Sequence, residues 1–254
     1  MLSVIRSQDF AEAPKVRSWT GLETIFPLSK ERTDNMDVLE ALYTTRAMRR
    51  VTTTPIPEDV QALILDAAVR APSGGNAQNW RFLLVDDVEV RARLGPIYRD
   101  CMDMVWEHIY KDRIETARGT PDDPDNAQFL RVVKSADHGA DHFADYPLLL
   151  FGFAQHDPTG GSIFPAIWNA MLAARSRGVG SALTSALLFR KDDVLSILGV
   201  PPDEGWIMAC CATFGYPTGR WAVAPRRPVQ EVAYRNRWGA SLDLKVDGPL
   251  WTSP

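Results

Sequence analysis

Cysteine is scarce in this chain, with three residues, Cys101, Cys210 and Cys211, among 254. The number is odd and no Cys-x-x-Cys pair occurs, so the sequence does not indicate a disulfide framework. Cys210 and Cys211 lie inside the apolar run 206–214 (WIMACCATF), which is typical of a buried strand. We therefore expect neither of these two thiols to act as a nucleophile.

Long apolar runs are also missing. No stretch approaches the roughly 20 apolar residues that a membrane-spanning helix needs. Residues 1–6 (MLSVIR) do not form a basic region followed by an apolar core, as a secretory signal would. A cytoplasmic location, with no membrane partner, is the expectation from these observations.

The chain has no surplus of positive charge. Lysine and arginine number 28 against 32 aspartates and glutamates, which gives a net charge of −4. This balance argues against a general nucleic-acid-binding protein.

Neither a Gly-x-Ser-x-Gly nor a Walker sequence occurs, so hydrolase and nucleoside-triphosphatase chemistry have no support. With 45% hydrophobic residues, the composition is that of a globular protein with a sizeable core.

Hydrophobic periodicity predicts alternating helices and strands. Helical spacing of apolar residues predicts helices at 38–45, 57–71, 88–95, 162–177 and 190–198, with Asp37 and Ser162 as caps. Apolar runs predict strands at 80–85, 147–154 and 206–216, and 147–154 has the pattern of a central strand buried on both faces. The charged region 96–143 predicts two or three amphipathic helices around a loop at 119–124.

Two segments carry the functional signal. Residues 46–50 (RAMRR) hold three arginines, whose planar guanidinium groups suit a phosphate or a carboxylate. Residues 71–80 (APSGGNAQNW) form a turn rich in small residues and amides, in which Gly74 and Gly75 let a ligand approach backbone N–H groups. Since one predicted helix separates the segments, we expect that they could line one pocket. A solvated basic turn followed by an ordinary loop is the alternative.

These residues resemble the opening motif of the FMN-dependent nitroreductase family. That motif combines an Arg-Arg-Ser-x-Arg-like run, a Pro-x-Pro-Glu helix start and an Ala-Pro-Ser-x-x-Asn-x-Gln-Pro-Trp turn that leads into a strand. The corresponding segments are 45–51 (TRAMRRV), 55–58 (PIPE) and 71–85 (APSGGNAQNWRFLLV), in the same order and at the same spacing. The resemblance covers about residues 36–239. It implies an N-terminal extension at 1–35, a nitroreductase-like FMN-binding domain at 36–239 and a C-terminal tail at 240–254.

The resemblance implies an α+β fold, with a mixed sheet flanked by helices, that forms an intertwined homodimer with FMN at the interface. The cofactor-binding residues that it implies are Arg46, Arg49, Arg50, Ser73, Asn76, Gln78, Thr184, Ser185 and Arg226. Arg46, Arg49 and Arg226 would meet the FMN phosphate, and Arg50 is a neighbour whose side-chain direction is left open. The polar turn would meet the ring edge and ribityl chain, often from the other subunit, and the segment at 184–185 would pass the ring. The variable region 96–143 would cover the substrate side of the flavin.

Three positions depart from the family pattern. The first arginine of the usual pair is Thr45, and the family serine is Ala47. Which arginines contact the phosphate is therefore open, with Arg49 or Arg50 available to compensate. The usual proline of the Gln-Pro-Trp turn is Asn79, which changes the backbone restriction there and adds a polar group.

Two further signals are set aside. His138 and His142 would share one face of a helix, but the zincin glutamate is absent and Gly139 weakens the helix, so we assign no metal ligands. Residues 178–183 (GVGSAL) superficially match a dinucleotide fingerprint, but they follow a helix and the third glycine is missing. We therefore reject a Rossmann site.

The resemblance implies an FMN-dependent oxidoreductase that uses NADH or NADPH to reduce small-molecule electron acceptors, such as nitroaromatics or quinones, by a ping-pong mechanism. The flavin would carry the chemistry, so no catalytic amino acid is assigned. Two alternatives stay open. One is an FMN enzyme for dehalogenation, reduction of an activated double bond or dehydrogenation of a ring. The other is a flavin-binding or flavin-storing protein with little turnover.

Overall fold

The computed structural model describes residues 36–252. In chain order, that part contains the elements α1 Val38–Thr44, α2 Glu58–Ala68, β1 Trp80–Val85, α3 Val88–His108, α4 Lys111–Gly119, α5 Pro124–Asp141, β2 Leu148–Ala154, α6 Ile163–Ser176, β3 Gly180–Thr184, α7 Lys191–Leu198 and β4 Ile207–Gly215. The extension predicted at 1–35 lies outside the described residues. No helix within 36–252 is both long and apolar enough to cross a membrane.

The four strands form one sheet in the order β1-β2-β4-β3, and every neighbouring pair is antiparallel. Beside β3, Ala47 forms an isolated parallel bridge with Ser181, and the Met48 N–H donates to the Ser181 carbonyl at 2.9 Å. The predicted α+β fold is confirmed. Within the described residues, the mixed character of the sheet rests on this one parallel bridge, because the ladders themselves are antiparallel.

The core lies on both faces of the sheet. All seven residues of β2 are buried, and they alternate between two helical layers. Leu148 and Leu150 pack with α2 and α6, whereas Leu149, Phe151 and Phe153 pack with α3, α5 and α7. The predicted central strand is thus confirmed. Each such fully buried side chain contributes about 1.5–3 kcal/mol, so β2 anchors both layers.

The helix predicted at 88–95 is longer than expected, because α3 continues through Pro96 to His108. A proline inside a helix costs about 3 kcal/mol or more. The apolar stripe nevertheless continues past it, and Leu94, Tyr98 and Cys101 are all buried. Their burial, at about 1.5–3 kcal/mol each, outweighs the cost of the proline. As a result, α3 extends into the region 96–143, where α4 and α5 complete the predicted helical cover.

The caps are partly as predicted. Asp37 Oδ1 accepts from the Leu39 N–H at 3.2 Å and caps α1. The prediction that Ser162 caps α6 with its side chain is wrong, because Asp157 Oδ2 accepts from the N–H groups of Ser162 and Ile163 at 3.0 and 2.9 Å. The Ser162 hydroxyl instead accepts from the Gly74 N–H at 3.4 Å. This contact fixes the turn at 71–80 to the beginning of α6.

The segment 178–183, rejected as a dinucleotide fingerprint, overlaps β3, which the periodicity did not predict. Gly178 ends the preceding helical turn with φ 72°, as expected for a left-handed stop. Gly180 then starts β3, and a Cβ there would meet Met48 Cβ at 2.8 Å. The glycine therefore lets residues 46–50 run close beside the strand.

Candidate functional site

A cavity of about 370 Å³ lies between the β3 edge of the sheet and the helices α3 and α5. We call it the first cavity. Its sheet end is polar and is lined by Arg49, Thr184, Ser185 and Thr213. Its helical end is apolar and is lined by Met102, Val105, Trp106, Ile109, Tyr110, Phe129, Val132 and Val133. Among the described residues that line it, Arg49 is the only charged one.

Arg49 enters the first cavity between α5 and Tyr146. Its backbone carbonyl accepts from the Tyr146 hydroxyl at 3.0 Å. Gly139 on α5 makes room for its side chain, since a Cβ at that position would meet Arg49 Cδ at 3.0 Å and Tyr146 Oη at 3.1 Å. Within residues 36–252, the Arg49 guanidinium makes neither a side-chain hydrogen bond nor an ion pair. It is therefore available to an anionic or electron-rich ligand.

Thr184 organises the polar end of the first cavity. Its Oγ1 accepts from the Tyr98 hydroxyl and from the Ala186 N–H, both at 3.2 Å. The Tyr98 ring stacks on Phe143 with centroids 4.1 Å apart. Burial raises the pKa of Tyr98 and of Tyr146, while the positive charge of Arg49 opposes that shift in both. Both phenols consequently keep their protons at neutral pH and act as hydrogen-bond donors.

A second cavity of about 470 Å³ lies between α1 and the chain that follows β4. Thr45, Arg226 and Asp247 are among its lining residues. The Thr45 Oγ1 is buried without a hydrogen-bond partner in the described part of the chain. Arg226 Nη1 donates to the neighbouring Pro225 carbonyl at 2.8 Å. Both a cation and a carboxylate thus face this second cavity.

The three arginines of the run 46–50 have different surroundings. Arg49 lines the first cavity, whereas Arg46 Nη2 donates to the Arg220 carbonyl at 3.0 Å and holds the chain that follows β4. Arg50 is exposed, and its carbonyl accepts from the Thr218 N–H at 3.0 Å. The run therefore has one member in the first cavity, one bound to the returning chain and one on the surface.

The segment 45–49 joins the two cavities along the β3 edge. Thr45 lines the second cavity and Arg49 the first. Extended chain advances about 3.3 Å per residue, which separates the two positions by roughly 13 Å. An elongated ligand suits this arrangement, with an anionic end toward Arg226 and a flat polar ring toward Arg49 and Thr184.

The polar turn closes on itself. The Ser73 hydroxyl accepts from the Gln78 N–H at 3.2 Å, and Gln78 Nε2 donates to Asn76 Oδ1 at 3.1 Å. Asn76 and Gln78 have φ values of 54° and 52°, in the left-handed region that few non-glycine residues adopt. Such backbone strain often accompanies ligand-binding turns. The turn is largely exposed and therefore open to a ligand from outside.

Within one chain, the polar turn and the arginine run do not line one pocket. The turn contacts Ser162 at the beginning of α6, whereas Arg175 near its end donates from Nε to Thr44 Oγ1 at 3.0 Å. A helix of 14 residues is about 21 Å long. The expectation of a shared pocket is therefore wrong for a single chain, because α6 holds the two segments apart.

Several cavity residues were not predicted from the sequence, most notably Tyr98, Trp106 and Tyr146. A signal was present along α3 and at its C-cap, where Tyr98, Met102, Val105 and Ile109 recur at helical spacing. The predicted helix ended at residue 95, before Pro96, so this stripe was not connected to it. Tyr146 precedes a strand, and nothing in its sequence neighbourhood indicates a cavity.

Thiol and metal chemistry find little support in the structure. Burial raises the pKa of Cys101 to about 11 and that of Cys210 to about 12, and it raises the pKa of Cys211 as well. These thiols are therefore protonated at neutral pH. The rings of His138 and His142 lie 4.3 Å apart, yet residues 36–252 contain no group of three or more side chains suited to hold a metal ion.

Comparison with known proteins gives a consistent picture. A family model described as "Nitroreductase family" matches residues 42–216. A Thermus thermophilus protein named NADH dehydrogenase is 39% identical over 208 residues, which cover 78% of this chain and 95% of that protein. A putative NADH dehydrogenase/NAD(P)H nitroreductase of Methanothermobacter thermautotrophicus is 33% identical over 67 residues, only 26% of this chain and 35% of that protein.

Solved structures share the fold at low identity. The FMN- and NADPH-dependent nitroreductase NfnB of a Sphigopyxis species superposes with a TM-score of 0.58 at 21% identity, covering 78% of this chain and 98% of that one. An iodotyrosine deiodinase bound to FMN and 3-iodo-L-tyrosine gives a TM-score of 0.61 at 22% identity, with the same coverage.

Proposed function

Because the chain belongs to the nitroreductase family, we propose that it uses NADH or NADPH to reduce nitroaromatic, quinone or related electron acceptors. It is an FMN-dependent oxidoreductase. The observation that carries the proposal is the first cavity, in which Arg49 brings one uncompensated positive charge to a polar end formed with Thr184 and Ser185.

The residues present fit FMN. Arg49 has no anionic partner among the described residues, and Thr45 keeps a buried hydroxyl without a partner in the same part of the chain. Arg49, Thr184 and Ser185 would hold the ring and Arg226 would hold the phosphate, while Arg46 would hold the returning chain that carries Arg226. When bound, FMN supplies the redox chemistry by accepting a hydride from the nicotinamide and passing electrons to the acceptor.

The chain's own groups prepare the site. Arg49 holds a positive charge where it stabilises negative charge that develops in a water-poor site. Thr184 is fixed by its two hydrogen bonds, so the polar end of the first cavity is preorganised. The apolar side chains of α3 and α5 exclude water from the other end. No side chain of the chain is required as a nucleophile, and donor and acceptor would use the same cavity in turn, in a ping-pong sequence.

The polar turn would reach the flavin from a second subunit. The supporting observation is the separation of the turn from Arg49 by the length of α6. In addition, apolar side chains of α1 face outward, with Val38 and Leu39 exposed by 64% and 46%. Exposed apolar surface of this kind marks interaction sites. A homodimer would bring Ser73, Asn76 and Gln78 of one chain to the first cavity of the other.

The charge of the first cavity bears on the acceptor. A zwitterionic amino acid needs a partner for its ammonium group, and the described residues that line the cavity include no carboxylate. Neutral or anionic acceptors are therefore favoured over a halogenated amino acid. This observation supports quinones and nitroaromatics rather than the substrate bound by the deiodinase with the same fold.

The first experiment is a visible spectrum of the purified protein, in which we expect the absorption of bound flavin. A colourless protein that takes up no added FMN would overturn the proposal.

The yellow protein is then mixed anaerobically with NADH and, separately, with NADPH, and at least one should bleach it. Retained FMN without bleaching would favour the flavin-storage alternative. Parallel lines in double-reciprocal plots for donor and quinone would support the ping-pong sequence.

A further inference from the structure

The helical end of the first cavity is built around three aromatic rings, Trp106, Tyr110 and Phe129, which we call the aromatic wall. The ring centroids of Trp106 and Tyr110 lie 5.8 Å apart, and those of Tyr110 and Phe129 lie 6.0 Å apart. All three rings line the cavity, and both ring pairs are tilted at spacings favourable for aromatic contact. A continuous aromatic surface thus faces the polar end.

Trp106 is held in place by hydrogen bonding. Its Nε1 donates to Asp137 Oδ1 on α5 at 2.7 Å. Arg99 also donates to Asp137 Oδ1, at 3.3 Å, and it bonds Asp103 and Asp141 at 2.7 and 3.1 Å. The indole therefore has one fixed orientation, which the carboxylate of a second helix determines. Asp103 and Asp141 share Arg99 but make no bond to the indole.

The exposure of these side chains and the fixed indole are not explained by core packing alone. Trp106 is only partly buried, and its neighbours Ile109, Tyr110 and Val132 are exposed. Exposed aromatic and aliphatic side chains around a cavity are costly unless they contact a ligand or a partner. A charge-assisted bond that fixes a partly exposed indole suits a binding surface, because a preorganised wall loses little freedom when a ligand binds.

We propose that the aromatic wall is a subsite for an aryl substituent of the electron acceptor, with Asp137 as the positioning residue that fixes the Trp106 indole. The location of the reacting ring, beside the flavin that would occupy the polar end, rests on the proposed function. An acceptor with an electrophilic ring and a second, apolar ring would extend from the flavin to the aromatic wall. A bare quinone or nitrobenzene would fill only the space beside the flavin.

The test compares two neutral ligands that cannot be reduced, phenol and 4-phenylphenol, by calorimetric titration of the FMN-loaded protein. Their dissociation constants differ by the contribution of the second ring. The natural protein should prefer 4-phenylphenol by a factor of about two to ten beyond the preference of Trp106→Ala, since aromatic pairs add roughly 0.5–1.5 kcal/mol to simple burial and about 1.4 kcal/mol is tenfold. An unchanged preference in Trp106→Ala would overturn the subsite.

Two milder variants isolate the role of Asp137. Trp106→Phe keeps an aromatic ring but removes the Nε1 donor, and Asp137→Ala removes the acceptor. Each should weaken the 4-phenylphenol preference about threefold, and the double variant should lose no more than either single one, as expected for two partners of one bond. Asp141→Ala is the matched control, because it removes a different Arg99 partner. If Asp141→Ala weakened the preference as much as Asp137→Ala, the positioning role would be excluded.

Failure of this inference is distinguishable from failure of the proposed function. Bleaching by NADH or NADPH tests the function without any aryl ligand, and the titrations test the subsite without turnover. If neither NADH nor NADPH bleaches the flavin but the preference for 4-phenylphenol still depends on Trp106, the subsite is supported and the proposed function fails. If the protein reduces quinones but Trp106→Ala binds both ligands as the natural protein does, the proposed function is supported and the subsite fails.

Discussion

The two ends of the first cavity are built by different means. The sheet end is held by backbone hydrogen bonds, since Met48 bonds Ser181 and Thr184 pairs with Cys211 in the sheet. The helical end is held by side chains, above all by Arg99 and its carboxylates on α3 and α5. Exposed ion pairs contribute only about 0–1 kcal/mol each, whereas the sheet is continuous with the core. The sheet end therefore suits a fixed cofactor, and the helical end can vary with the acceptor.

If the sheet end carries cofactor affinity, Arg49→Ala should have the largest effect of the variants considered. A charge-assisted hydrogen bond contributes about 1.5–3 kcal/mol, so FMN should bind roughly 10–100-fold more weakly. The measurement is the FMN dissociation constant from quenching of flavin fluorescence. Arg131→Ala, which removes an exposed arginine of α5 bonded to Gln128, is the matched control. Equal loss in both variants would show that net charge, rather than the position of Arg49, sets affinity.

The rigidity of the sheet end can be measured through Thr184. Thr184→Val leaves both the Tyr98 hydroxyl and the Ala186 N–H without their acceptor, and each unpaired buried group costs about 1–3 kcal/mol of unfolding free energy. Tyr98→Phe removes the hydroxyl altogether, so no buried tyrosine donor is left unpaired. The unfolding free energy should therefore fall by less than in Thr184→Val. Chemical denaturation of both variants gives the comparison. Equal losses in the two variants would mean that the lost hydrogen bond itself, rather than the unpaired Tyr98 hydroxyl, determines the change in stability.

The same pair of residues predicts a pH dependence. The pKa of Tyr98 is raised by burial, so the folded protein keeps this proton at a pH where the unfolded chain releases it. The contribution of the buried phenol is fully present below about pH 10, the ordinary tyrosine pKa, and is lost as pH rises further. Unfolding free energy should thus fall above pH 10, and less steeply in Tyr98→Phe. Identical slopes would assign the effect to other tyrosines, such as Tyr146.

Where α5 meets the sheet end, Gly139→Ala should have a moderate effect. Alanine favours a helix over glycine by about 1 kcal/mol, but the new Cβ would lie 3.0 Å from Arg49 Cδ. The flexible Arg49 side chain and the Tyr146 hydroxyl, which would lie 3.1 Å from the new Cβ, must both shift. We therefore expect FMN affinity to fall several-fold, while the helix gain and the strain largely cancel in the unfolding free energy. Gly119→Ala, on α4 with open space around it, is the control. Unchanged FMN affinity would mean that Arg49 reaches its ligand from a shifted position equally well.

The sequence predicted the residues of the sheet end, through the family resemblance, better than it predicted β3 itself or the helical end. Strand 147–154 and the arginine run are local sequence patterns. The strand lies in the middle of the buried sheet, and the arginine run lies along the β3 edge. The distance between the polar turn and Arg49 is set by α6, whose packing no local pattern encodes. Similarly, Asp157 replaced Ser162 as the cap of α6 because a loop fold brings it to the helix start. The aromatic wall depends on the continuation of α3 through Pro96. Sequence alone does not predict this continuation, because a proline is unfavourable inside a helix.

The smallest effect on stability is expected at the helical end. Arg99→Ala removes three partly exposed ion pairs, and its unfolding free energy should fall by less than about 1 kcal/mol, with part of the difference abolished by added salt. The same variant leaves Asp137 able to accept from Trp106, so the indole should loosen only slightly. Thermal unfolding at low and high salt is the measurement, and Arg70→Ala, which breaks one exposed pair with Asp66, is the control. A loss of several kcal/mol would contradict the contrast between the two ends, because the helical end would then be as firmly built as the sheet end.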